Sequence, residues 1–152
     1  MHKIRLFALF IISLLVLSTV CHQQEQKTET ISVSIYPLRY VTEQIVGNDF
    51  QIQVLVPPGS SPETYEPTSA QMLQTARSKA FIDIGLLDFE IKLEQAIRDN
   101  MPQVTLIKSS ERVPLLAGAC GHTHADQDQT HGTDPHIWLS PTRLKIIAEN
   151  IY

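Results

Sequence analysis

The chain has 152 residues, 43% of them hydrophobic and 18% charged, with a formal net charge of −4. That is enough for one modest core, and mild acidity without a basic stripe argues against a nucleic-acid partner. With only two cysteines, Cys21 and Cys120, a disulfide framework is not expected.

His2-Lys3-Ile4-Arg5 makes a short positive start, and Leu6 to Val20 is apolar apart from Ser13, Ser18 and Thr19. This run falls short of the roughly 20 apolar residues of a membrane span, and no stop-transfer cluster follows it. Residues 1–20 therefore read as an export signal. The run ends at Cys21, and a polar stretch continues to Thr30. A cysteine at that junction resembles a bacterial lipoprotein cleavage site. On that reading Cys21 carries lipid, residues 21–30 are a tether, and residues 31–152 lie outside the cytoplasm, anchored to a membrane. An ordinary secretory signal or a first transmembrane anchor is the alternative. Loss of Lys3 and Arg5 leaves ten basic against sixteen acidic residues, a net charge of −6. If Cys21 is lipidated, Cys120 is unpaired, either a soft ligand beside His122 or a free thiol.

Ile31 to Ile35 alternates apolar and polar residues and predicts a first strand. Pro37 opens a helix with Leu38, Val41 and Ile45 at helical spacing, stopped at Gly47-Asn48. Gln51 to Val56 predicts a second strand. The loop 57–67 carries four prolines, and long ordered loops tend to carry function. Thr68 with Gln71 is a capping-box signature for a helix over about 69–79, with Met72, Leu73 and Ala76 inward. Ala80 to Ile84 is a third strand, Gly85 a turn, and Asp88 the cap of a helix bearing Phe89, Leu93 and Ile97 that stops before Pro102. Val104 to Ile107 is a fourth strand. Ser140 and Pro141 start a last helix with Leu144, Ile147, Ala148 and Ile151 on one stripe.

Strands alternating with helices predict an α/β fold: a parallel sheet ordered by consecutive βαβ units, with helices on both faces. Ligands of such sheets bind beyond the carboxyl ends of the strands, where the 57–67 loop and the segment after the fourth strand both emerge.

That segment, the loop 118–136, holds four of the six histidines: His122, His124, His131 and His136. Short His-rich tracts point to metal, since imidazole is a common ligand for zinc and other transition metals. His122, His124 and His131 stand in polar sequence beside Asp126 and Asp128, whereas His136 sits in the stiffer context Asp134-Pro135-His136-Ile137-Trp138.

Val56-Pro-Pro-Gly-Ser-Ser-Pro-Glu-Thr-Tyr-Glu-Pro-Thr68, Ile84-Gly-Leu-Leu-Asp-Phe-Glu90 and Asp134-Pro-His-Ile-Trp-Leu-Ser-Pro141 together resemble the solute-binding lipoproteins of zinc and manganese ABC importers. The resemblance runs from about residue 31 to the end. It implies two α/β lobes gripping one metal between them, of which this chain supplies the first, truncated before the second. It also implies delivery of Zn²⁺, alternatively Mn²⁺, to a membrane permease by a monomer that is not an enzyme. Carried over by position, His136 matches a metal ligand. Glu63 stands where most members have a histidine, and its harder oxygen keeps manganese and iron in play. His122, His124 and His131 become auxiliary metal-gathering residues, and Glu66 and Asp134 residues that orient the ligands.

Three other readings compete. A metal hydrolase should show His-Glu-x-x-His, and neither that pattern nor a Gly-x-Ser-x-Gly elbow occurs. A surface adhesin, or a nonfunctional gene fragment, is the remaining alternative; metal binding discriminates the first and the downstream DNA the second.

Overall fold

The computed structural model describes residues 28–116 and 133–152. The export signal, Cys21, Cys120, His122, His124 and His131 lie outside the described residues. Four parallel strands, β1 (Glu29–Val33), β2 (Phe50–Val54), β3 (Ala80–Asp83) and β4 (Thr105–Lys108), form one sheet in the order β2-β1-β3-β4. Four helices accompany them: α1 (Tyr36–Val46), α2 (Ser69–Thr75), α3 (Asp88–Asn100) and α4 (Pro141–Ile151).

The alternation of side chains along β1 assigns the helices to faces. Ser32 lies beside Gln53 and Phe81 in register; its hydroxyl bonds that of Ser78 just after α2, and Gln53 donates to Gln74 of α2. Asp83, two residues beyond Phe81, faces Glu90 and Glu94 of α3. So α2 and α3 share that face, leaving α1 and α4, which pack on each other, to the face of Ile31, Val33 and Ile82. The resulting core joins Val33, Leu38, Phe81, Ile82, Leu93, Ile97 and Ile147, all nearly fully buried.

The strand order departs from the consecutive arrangement expected of the sequence. β3 pairs with β1 rather than with β2, because α2 crosses on the face opposite α1. This reversal makes the junction of β1 and β3 the switch point of the sheet, and sheets of this type hold ligands at the carboxyl edge of such a point.

Two further expectations are corrected. Leu73 is 54% exposed, and the inward residues of α2 are Met72 and Thr75, because the helix rotates to direct Gln71 and Thr75 at the sheet. Asp88 does not cap α3: the N-cap is Leu87, whose N–H is taken by the Glu90 carboxylate, which also accepts from Ile84 and Leu86. Ser140 is the N-cap of α4, though its side chain makes no capping bond. The first three strands end one or two residues earlier than expected and the fourth one residue later, at Lys108, yet ladder bonding continues past β2, from Leu55 to Val33 and from Val56 to Ser34.

Candidate metal centre

The loop that leaves β2 would be free to wander if its prolines did not stiffen it. It passes a turn at Gly59, whose φ of +84° suits glycine, and forms a single 3-10 turn over Pro62–Thr64. Glu63 sits on that turn with its side chain 61% exposed. Two residues on, Tyr65 folds back onto the body. Its ring meets Phe89 of α3 edge-on, with centroids 5.6 Å apart, and its hydroxyl donates to Gln71 Oε1 at 2.8 Å.

His136 arrives from the other side. Asp134 N–H donates to the Leu116 carbonyl, and His136 precedes a second 3-10 turn, Ile137–Leu139, anchored by the buried Ile137. Asp134 Oδ1 accepts the His136 backbone N–H at 2.9 Å and lies 2.8 Å from its Nδ1. A carboxylate offers only acceptors, so Nδ1 carries the hydrogen and Nε2 is left with its lone pair. The backbone bond first, and then the ring bond, hold the Asp134 carboxyl below the usual aspartate range. The Trp138 ring tilts against the imidazole at 5.2 Å.

The freed Nε2 faces Glu63 Oε1 at 3.9 Å. Zinc binds nitrogen and carboxylate oxygen at about 2.0–2.2 Å each, so the two donors are within reach of one ion, and a tetrahedral angle at that ion would draw them in to about 3.4 Å. The fold thus brings together two residues that the sequence had placed on separate loops. Asp134 holds the Nδ1 side of the imidazole, opposite the Nε2 that faces Glu63. Among the described residues no group of three or more His, Cys, Asp or Glu side chains is arranged to hold a metal. Glu66, expected to help orient the ligands, is exposed and makes no hydrogen bond or ion pair to either of them.

The sequence reading missed what lies behind this pair. Gln71 was seen only as part of a helix cap, yet it also binds Tyr65 and the Leu55 carbonyl. Glu90 ties down the turn between β3 and α3. Asp83 is fully buried with neither carboxylate oxygen hydrogen-bonded, and its pKa is pushed up to about 9 by burial and then by Glu90 and Glu94, with Lys108 and Arg98 opposing. An acid inside the apolar run Ala80-Phe-Ile-Asp-Ile was the available signal.

Comparison with known proteins shows what the chain resembles. Residues 31–152 match the family model described as ZnuA, zinc-uptake complex component A, periplasmic. The zinc-binding protein AdcA of Streptococcus pyogenes is 27% identical over 143 residues, covering 84% of this chain. The zinc-binding lipoprotein AdcA of Streptococcus pneumoniae is 27% identical over 139 residues, covering 86% of it. The chain spans 27% of the length of each. Among solved structures, a ZnuA deletion mutant with zinc bound is 33% identical at a TM-score of 0.68, matched over 82% of this chain and 45% of that one. The Zn(II)-bound AdcA of Streptococcus pneumoniae is 27% identical at a TM-score of 0.67, matched over 82% and 25%.

Proposed function

The chain belongs to the ZnuA family of periplasmic zinc-uptake components, and from that premise we propose that Glu63 and His136 are this lobe's ligands to a captured divalent metal. The metal is cargo: it is bound outside the cytoplasm and handed to the permease of an ABC importer. Zinc is the favoured ion and manganese the alternative. The protein acts as a binding component rather than an enzyme, and as a monomer.

One observation carries the reading: His136 Nε2, its other nitrogen engaged by Asp134, stands 3.9 Å from Glu63 Oε1. Two donors make a half-site, since a closed zinc site takes four. A second lobe supplies the remainder by family resemblance, and the chain spans under half of its matched relatives' length. In this chain His122, His124 and His131 are further imidazole donors in sequence, with a metal-gathering role by family resemblance. Residues 1–20 are the export signal and Cys21 the lipid-bearing residue that holds residues 31–152 at a membrane surface through the 21–30 tether. The zinc-binding AdcA of Streptococcus pneumoniae is itself a lipoprotein by description, which supports an anchored form. Among the described residues no helix is long and apolar enough to cross a membrane.

Zinc and manganese titrations against a chromophoric chelator test the proposal on the full chain, His136→Ala, Glu63→Gln and a deletion of 122–131. Loss of affinity in both point variants supports it. Binding that ignores both variants sinks the site.

A further inference from the structure

We propose that Gln71 is the positioning residue that fixes Glu63, through Tyr65, at its distance from His136; this rests on the metal site proposed above. Glu63 has little to hold it locally. Its 3-10 turn has no side-chain cap, and the carboxylate is 61% exposed with His136 as its contact. Its place must come from further along the loop, where Tyr65 closes the turn.

Gln71 is the point at which that loop is tied to the rest of the fold. Its Oε1 accepts the Tyr65 hydroxyl at 2.8 Å, the Thr68 N–H at 2.9 Å and the Thr68 hydroxyl at 3.1 Å. Its Nε2 donates to the Leu55 carbonyl at 2.7 Å, just beyond β2. Capping α2 requires only the exchange between Thr68 and Gln71. The bonds to Tyr65 and Leu55 are no part of the cap; they cross to the two ends of the proline loop. One amide therefore clamps both the departure of the loop at Leu55 and its return at Tyr65, with Phe89 of α3 as the backstop for the Tyr65 ring. A loop pinned at both sides of Glu63 keeps its donor where His136 points, and such supporting contacts commonly set metal affinity.

The test separates this role from capping. Thr68→Ala removes the hydroxyl that accepts the Gln71 N–H but leaves the Tyr65 and Leu55 bonds; Gln71→Met removes every bond of the amide side chain while keeping the Gln71 N–H to Thr68; Tyr65→Phe removes one link. In the full chain, zinc(II) affinity is read by chelator competition, fold stability by Tm, and loop order by metal-free amide hydrogen exchange over residues 62–66. Gln71→Met should weaken zinc binding about tenfold or more and speed exchange at 62–66. Thr68→Ala should lower Tm while leaving affinity and exchange unchanged. The Tyr65→Phe and Gln71→Met effects should be non-additive, as expected of one connected unit. Equal loss of affinity in Thr68→Ala and Gln71→Met would reduce Gln71 to a stability residue, and unchanged exchange in Gln71→Met overturns the proposal outright. Zinc binding indifferent to both Glu63 and His136 would defeat the metal site instead, and the metal-free exchange would still decide the part played by Gln71.

Discussion

Asp134 holds His136 twice with one oxygen: Oδ1 takes the backbone N–H at 2.9 Å and faces the ring Nδ1 at 2.8 Å. The first bond sets where the residue sits and the second sets which nitrogen is free. An imidazole left to itself distributes its proton between both nitrogens, so part of the population would present an N–H to the metal. Asp134→Ala should therefore lower zinc affinity by about 10- to 100-fold. Asp134→Asn, which still offers an oxygen acceptor, should fall between Ala and the native residue. Nitrogen-15 NMR of the metal-free ring should show the Nδ1–H form giving way in Asp134→Ala; an unchanged tautomer there would deny Asp134 this role.

Glu63 is the residue in the matched motif that departs from the histidine usual in the resembling family. Carboxylate oxygen favours harder ions than imidazole does. Glu63→His should raise the ratio of zinc to manganese affinity, and Glu63→Gln should weaken both ions. Parallel competition titrations with the two metals measure the ratio directly.

Asp83 makes stability depend on pH in a definite direction. Its carboxyl has a pKa of about 9 in the folded protein against 3.8 when unperturbed, so above pH ~4 the unfolded chain ionises it while the fold keeps the proton. Stability should fall as pH rises from about 4 to about 9, with this one group contributing roughly 1 kcal/mol per pH unit, and level off above. Asp83→Asn keeps the shape and abolishes the ionisation. Urea denaturation across that range should show a shallower slope and a more stable protein at neutral pH than the parent.

Gly85 holds φ at +62°, and a Cβ there would strike the Lys108 side chain and the Glu94 carboxylate. Gly85→Ala should cost on the order of 1–3 kcal/mol through backbone strain and the displaced Lys108, visible as a drop in the urea midpoint.

Much of this architecture could be read from the residues. Local signals gave strand–helix alternation: the 3.6-residue spacing of Phe89, Leu93 and Ile97, the capping pair Thr68 and Gln71, and the turn at Gly85. The two loops bearing Glu63 and His136 could be assigned to one rim because parallel strands deliver their following loops to the same edge. The reversal in strand order was not legible, since it depends on which face α2 crosses, a choice made by packing rather than by any local pattern. Leu73 was misplaced for a similar reason: α2 is short, and the bonds of Gln71 to Leu55 and Tyr65 set its rotation more than its apolar residues do. Glu90 was invisible as a cap because its partners are backbone N–H groups, which every sequence offers equally.

The hydrogen bond from Asp134 N–H to the Leu116 carbonyl, 3.0 Å long, joins the two sides of the His-rich insertion where it meets the framework. Residues 116 and 134 are thereby held at one spacing, so the approach to His136 is set from the framework side. Closing a loop twice as long costs only about 0.6 kcal/mol more. A longer or shorter connection between those two residues should therefore leave both Asp134–His136 bonds intact.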